Sequence, residues 1–406
     1  VRQLQVLTNS EAECYDECPA KHGYAYHELL RPIAIAKPLQ RGTLYHAGVA
    51  AGWRAAWAAD SWHLPLVERV ELAKQAASAA IEELAAEASA ELAQVEATPE
   101  RFDTLDEVTR IATWGARRYF QERQNDLDPA RFLPLAVEQA FSVRLPNAAG
   151  HPTIVQYEGV IDLVLYDREM DMIRVEDHKM PEDGPSALEK KIELNTQTTG
   201  YLAAVRELQK DPKNGFWRFF RENVAGSCVH EISLDRILQG QTGLVAYNVM
   251  RGKIPAEPRV NQKGDVSVAE CSTLPEIYER ALLEQATDRG IDISQKQRDR
   301  LEQIRAKARW FEQMEFFRNG EEIQRWLEET LVKARLIRES GRNPELRIRR
   351  PVHCSSASSY ACAYKAVCID PTSDAVKRTS YRVAIDSHEE VAEAKEQNGN
   401  EKDLGW

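Results

Sequence analysis

Three stretches decide the fold: LPLAVEQAFSVRL (133–145), TIVQYEGVIDLVLYD (153–167) and MIRVEDHKM (172–180). Each alternates or runs apolar over strand length, and turn residues at Asn147–Gly150 and Asp167–Asp171 separate them. They predict three consecutive β-strands. Asp162 interrupts an apolar run, and Asp177 and Lys179 sit two apart near a strand end. Alternation points the Asp177 and Lys179 side chains to one face. A carboxylate in an apolar strand is costly unless paired or bound to metal. Two such groups on neighbouring strands, beside an ammonium, suit a divalent-cation site that activates water and stabilises charge on a phosphoryl oxygen. The plain alternative is a buried salt bridge at Asp162 and an exposed Asp177–Lys179 pair, since so short a spacing recurs by chance.

Outward from these strands, a helix is expected from about Pro185 to Gln209, with Gln197 and Tyr201 four apart on one face. Gln can bond a base edge or phosphate, and Tyr can stack or donate a hydrogen bond. Residues 10–58 read as two helices around Pro32 and Pro38, the second beginning near Arg41-Gly42 and carrying His46. The Ala/Glu-rich run 65–98 and the stretch 107–123 read as a helical insertion with a solvated face and a structural role. A further strand is expected in SCVHEISL (227–234), a polar loop at 252–268, and a long helical stretch from about 274 to 340. Trp217, Phe219 and Phe220 read as core in preference to stacking residues. The resulting division is 1–60 N-terminal helical part, 61–128 insertion, 129–240 core, 241–345 basic loop and helical region, 346–370 cysteine segment and 371–406 polar mobile tail.

The chain has 406 residues, 43% hydrophobic and 29% charged, with a net charge of −11. No apolar run reaches the ~18 residues of a membrane span, and the first residues lack a signal-peptide core, so an intracellular protein without a membrane partner is expected. The acidic balance excludes blanket nucleic-acid coating but not a local patch. From Lys296 to Arg350 there are 15 Lys and Arg against 10 Asp and Glu, leaving −16 for the remainder.

The ordered set Arg41-Gly42…His46, Glu138, Gly159-Val160-Ile161-Asp162, Asp177-His178-Lys179 and Gln197…Tyr201 resembles the RecB-type branch of the PD-(D/E)xK nuclease superfamily. That branch carries an RG…H element, a GxxD strand, a (D/E)xK strand and a QxxxY helix, in this order. The resemblance implies an α/β fold with a restriction-endonuclease-like core, a small mixed sheet flanked by helices. It implies that His46, Asp162 and Asp177, with the carbonyl of His178, bind Mg²⁺ or Mn²⁺, and that Asp162, Asp177 and Lys179 are catalytic. Gln197 and Tyr201 would position DNA, with Glu138 and Arg41 in supporting roles. It covers residues 10–58 and 133–210.

The seven cysteines do not form a disulfide framework in a chain this long. Cys18-Pro19 early and a cysteine group late resemble iron–sulfur members of the family, among them CRISPR-adaptation nucleases and phage exonucleases. There, one N-terminal and three C-terminal cysteines hold a 4Fe–4S cluster that fastens the two chain ends together, ordinary chemistry for thiolates. The resemblance implies Cys18, Cys354, Cys362 and Cys368 as ligands and a C-terminal segment closing onto the N-terminal region. The spacing departs from the family's CxxCxxxxxC: Ser359 stands at the upstream cysteine position, and Cys354 lies eight residues before Cys362. Structural zinc, recruiting His353, and plain reduced thiols are the competing readings.

LVAYNVMRGKIPAEPRVNQKGDVS (244–267) is similar to a segment of phage members, where a loop precedes a long helical region. Its Arg251, Lys253, Arg259 and Lys263 are candidate phosphate contacts or a solvated loop, as are Arg347, Arg349 and Arg350. The resemblance implies a Mg²⁺- or Mn²⁺-dependent exonuclease acting on DNA ends, single-stranded and 5′→3′, in recombination, repair or phage DNA processing. The expected setting is the cytoplasm of a bacterium or phage-infected host, with recombination or replication proteins as candidate partners and the oligomeric state left open. An endonuclease trimming DNA within a complex and a non-catalytic DNA-binding scaffold are the rival expectations.

Overall fold

A computed structural model describes residues 4–33, 37–58, 60–61, 63–94, 97–192, 195–225, 233–261, 265–269, 272–290, 292–307, 309–351, 354 and 362–397. The chain opens with β1 (Gln5–Thr8), α1 (Asn9–Glu17), α2 (Pro19–His22), β2 (Leu30–Pro32) and α3 (Lys37–Ala56). Two long helices follow, α4 (Leu66–Gln94) and α5 (Pro99–Glu122), then β3 (Phe132–Pro146), β4 (Pro152–Asp167) and β5 (Met172–Lys179). The remainder is α6 (Pro185–Ile192), α7 (Gln197–Leu208), α8 (Leu234–Ile237), β6 (Gln241–Met250), α9 (Pro275–Arg289), α10 (Gln295–Lys307), β7 (Phe311–Phe317), α11 (Gly320–Arg342), α12 (Lys365–Ile369), α13 (Asp374–Ser380), β8 (Tyr381–Val383) and α14 (Glu389–Gln397).

The three expected strands form the meander β3–β4–β5, closed by the turns the sequence indicated. Asn147 Oδ1 accepts from the amides of Ala149 and His151 in the first turn, where Gly150 takes φ +77°. Asp167 Oδ1 accepts from Glu169 and Met170 in the second. Short polar side chains thus replace the missing backbone partners of each turn. β6 adds parallel to β5, β7 adds antiparallel to β6, and β1 lies parallel to β4, giving a six-stranded mixed sheet flanked by helices. This is the α/β, restriction-endonuclease-like architecture expected. Leu163, Val164, Leu165, Ile173, Val175, Val245 and Val249 are inaccessible to solvent and form the sheet's core.

Several expectations are corrected. The stretch 274–340 is not continuously helical: β7 interrupts it, because FEQMEFF finds in β6 a partner for its backbone that outweighs its Glu and Gln content. The run LVAYNVM, which carries no element assignment from sequence, forms most of β6, ahead of the expected loop. The expected strand in SCVHEISL lies largely outside the described residues, and Leu234 begins α8. Within the described part of the tail, up to residue 397, the chain forms α13, β8 and α14, and residues 398–406 lie outside the described residues. β8 pairs antiparallel with β2, and Tyr381, Ala384 and Val391 are buried. Glu11, itself buried, bridges His22 Nε2 and His388 Nε2 at 3.0 Å each, tying α1 to the C-terminal arm. Among the described residues no helix is long and apolar enough to cross a membrane.

Candidate metal centre

β4 and β5 stay in register only up to Leu163↔Glu176, so Asp162 and Asp177 sit where the two strands diverge. The next amide of β5 has lost its β4 partner, and the Asp162 side chain replaces it: His178 N–H donates to Asp162 Oδ2 at 2.7 Å. From α3, His46 Nδ1 approaches the same oxygen at 3.4 Å. From β3, Glu138 enters with φ +45°, a left-handed conformation costing a non-glycine residue about 1–3 kcal/mol. Arg54 of α3 donates to the carbonyl of Val137 at 3.0 Å and pins the strained position. Donor atoms of His46, Glu138 and Asp162 all lie within 4.8 Å of one another.

The charges in this pocket are strongly coupled. Burial and the neighbouring Asp162 push the Glu138 carboxyl up to about 7. Burial, with a further contribution from Asp162, raises Asp177 to about 6 even though Lys179 opposes it. Burial also acts against an ionised Asp162, but His46, His178 and Lys179 outweigh it and hold the carboxyl well below the usual range. His46 is raised to about 9, the Asp162 charge overcoming the effect of burial. His178 is driven down to about 4 by burial. Two carboxyls pushed upward beside a third kept ionised form an excess of negative charge that a cation would relieve. The one-imidazole, carboxylate-rich donor set fits Mg²⁺ or Mn²⁺.

Lys179 lies beside this pocket. Its Nζ is 2.8–3.0 Å from the Asp177 carboxylate and donates to Gln197 Oε1 at 3.3 Å. Gln197 Nε2 in turn donates to the Tyr201 hydroxyl at 2.7 Å, across one turn of α7. The glutamine and tyrosine expected to position DNA therefore also hold the lysine. Arg41 donates to the carbonyls of Met180 (3.1 Å) and Gly252 (3.2 Å), clamping the ends of β5 and β6 together.

Other supports were not legible in the sequence. Arg123, at the end of α5, makes a two-pronged pair with Glu176 (2.9 and 3.1 Å) and bonds Asp126 and Asn248. Arg174 also pairs with Glu176, and the two guanidiniums overcome burial to hold that carboxyl at about 2. Tyr119, also of α5, reaches His178 Nε2 at 3.2 Å. The α4–α5 hairpin thus contributes to the centre and is not solely a structural insertion. Its residues look like ordinary amphipathic-helix positions, and only the fold shows that their buried face meets β5.

The five described cysteines come from the N-terminal helices and the C-terminal segment that packs on them. Cys14 and Cys18 are buried, Cys354, Cys362 and Cys368 are half-buried, and all five are free thiols. Cys14 is pushed up to about 12 by burial. Cys368 is raised by burial and by the nearby Cys354, Cys18 and Cys362, with Arg349 opposing. Tyr364 donates to the Leu30 carbonyl at 2.8 Å, and Arg350 donates to the Asp16 carbonyl. His353, Ser359, Cys228, Cys271 and Lys263 lie outside the described residues. Trp217 and Phe220 are fully buried and Phe219 half-buried, as core residues. Of the loop cations, Arg251 stacks over Trp310 at 5.0 Å and Lys253 faces Glu182 at 3.4 Å.

A family model described as the PD-(D/E)XK nuclease superfamily matches residues 6–369. No curated protein matches the chain.

Proposed function

The chain belongs to the PD-(D/E)XK nuclease superfamily, and from that premise we propose that it is a Mg²⁺- or Mn²⁺-dependent exonuclease digesting single-stranded DNA 5′→3′ from its ends. The convergence of His46, Glu138 and Asp162 beside the Asp177–Lys179 pair carries this reading. In it, His46, Glu138, Asp162 and Asp177 hold the cation, together with the His178 carbonyl. Glu138 then has a larger part than the supporting one expected. A bound divalent ion lowers the pKa of a coordinated water and neutralises charge on the phosphodiester.

The protein's own groups do the rest. Lys179, kept protonated by Asp177 against the effect of burial, presents a fixed positive charge to the oxyanion that develops at phosphorus. Gln197 holds the ammonium in place, and Tyr201 fixes Gln197, so the lysine needs no reorientation at the moment of reaction. The thiols of Cys18, Cys354, Cys362 and Cys368 would hold a 4Fe–4S cluster. Their convergence from both chain ends supports this, and iron content and colour after anaerobic purification test it against zinc or free thiols.

Recombination, repair or phage DNA processing inside a bacterial cell is the proposed setting. The reading is tested by Mn²⁺-dependent digestion of end-labelled linear and circular single strands of one sequence. Loss of the linear substrate alone, starting from the 5′ label, supports the exonuclease. Cleavage of circles indicates an endonuclease. Inertness towards both, indistinguishable from Lys179→Ala, indicates a DNA-binding scaffold.

A further inference from the structure

The back of the metal centre is closed by two aromatic side chains that the reaction itself does not use. Tyr119, fully buried on α5, lies between Trp53 of α3 and His178 of β5. Trp53 Nε1 donates to the Tyr119 hydroxyl at 3.0 Å, and that hydroxyl lies 3.2 Å from His178 Nε2. An indole N–H only donates, so the Tyr119 oxygen accepts there and must place its own proton elsewhere. Among the described residues, His178 Nε2 is its other polar partner. Were Nε2 protonated, the buried Tyr119 proton would have no acceptor. Nε2 is therefore bare, and the ring proton sits on Nδ1.

Nδ1 faces Asp162 Oδ2 at 3.6 Å, the same oxygen that accepts the His178 backbone amide. The ring has little freedom to leave this pose. It meets Tyr119 edge-on with centroids 5.1 Å apart. Gly115 of α5 packs so tightly on the end of β5 that an added Cβ would lie 2.0 Å from the Met180 side chain.

We propose that Tyr119, oriented by Trp53, is a positioning residue for the metal centre: it fixes His178 as the Nδ1–H tautomer and holds the ring so that this N–H faces the Asp162 carboxylate as a favourable dipole, 3.6 Å from Oδ2 and beyond hydrogen-bond reach. This rests on the reading of His46, Glu138 and Asp162 as a cation site. It also assigns the His178 imidazole a role beside Asp162 and not as a ligand, because Nε2 is taken by the Tyr119 hydroxyl and Nδ1 carries the ring proton. Hydrogen-bond partners behind metal ligands typically change metal affinity about 10–100-fold when removed.

The test is calorimetric Mn²⁺ titration of the full-length protein, with unfolding in EDTA as a check on folding. Tyr119→Phe should weaken Mn²⁺ binding about tenfold, and Trp53→Phe should weaken it less. Wild-type affinity in Tyr119→Phe overturns the proposal while leaving the metal site intact. Failure of the wild type to bind Mn²⁺ overturns the site and the proposal together. Should Tyr119→Phe not fold, ¹⁵N–¹H correlation of histidine-labelled, metal-free wild type decides the matter. A proton on Nδ1 of His178 supports the assignment, and one on Nε2 overturns it.

Discussion

Replacing Glu138 by glutamine should strengthen the metal-free fold and weaken the metal site. Burial and Asp162 raise the carboxyl from 4.5 to about 7. The folded state therefore holds this proton more tightly than the unfolded chain does. Stability falls as pH climbs from 4.5 to 7, and the deficit stays constant above that window. A shift of this size corresponds to about 3 kcal/mol for a fully desolvated group, and screening of a half-buried side chain reduces it to about 1–2 kcal/mol. Glutamine keeps the shape and the left-handed backbone but removes the charge. Urea unfolding in EDTA should find E138Q about 1–2 kcal/mol more stable than wild type at pH 8, with the difference vanishing near pH 5. The stabilisation gained from Mn²⁺ should be smaller for E138Q, since a negative donor is gone. A variant less stable than wild type in EDTA at pH 8, or one gaining as much from Mn²⁺, would refute the reasoning.

Mn²⁺ binding should release protons from His46, raised to about 9, Glu138, raised to about 7, and Asp177, raised to about 6. Calorimetry in buffers of different ionisation enthalpy should show about two and a half protons released at pH 6 and about one at pH 8; a pH-independent release contradicts these assignments. Arg123→Met removes the two-pronged guanidinium partner of the buried Glu176, leaving it Arg174 and the Asn248 amide, and should cost about 3–5 kcal/mol in urea unfolding. A loss under about 1 kcal/mol would show that the pair is dispensable. Gln197→Ala removes the amide that steadies the Lys179 ammonium beside its Asp177 partner and should lower kcat about tenfold while leaving Mn²⁺ half-saturation unchanged. A shift in half-saturation instead would place Gln197 with the metal ligands.

The legible part of the fold was the local part. Residues 133–180 alternate over strand length and turn on Asn147, Gly150 and Asp167, so the meander follows from short-range signals alone. β7 was hidden because Glu312, Gln313, Met314 and Glu315 are helix formers, and only pairing with β6 makes them a strand. β6 carried a visible apolar run, Leu244–Met250, but its parallel pairing with β5 spans a crossover that no local pattern encodes. The site divides the same way. His46, Asp162, Asp177, Lys179, Gln197 and Tyr201 stand at recognisable spacings. The resemblance marks Glu138 for a supporting role, but its full contribution depends on a positive φ; those of Arg123 and Tyr119 depend on how α5 lies against β5 and have no spacing to read.

The central claim is that these side chains gather a cation to cut DNA. Its most direct test is the rate of nucleotide release from linear DNA by wild type, Asp162→Asn and Lys179→Ala, each with Mn²⁺ and with EDTA. Wild type should be active only with Mn²⁺, and both variants should be slower by at least about 100-fold. Equal rates in all three proteins, or a wild-type rate unaffected by EDTA, would contradict it.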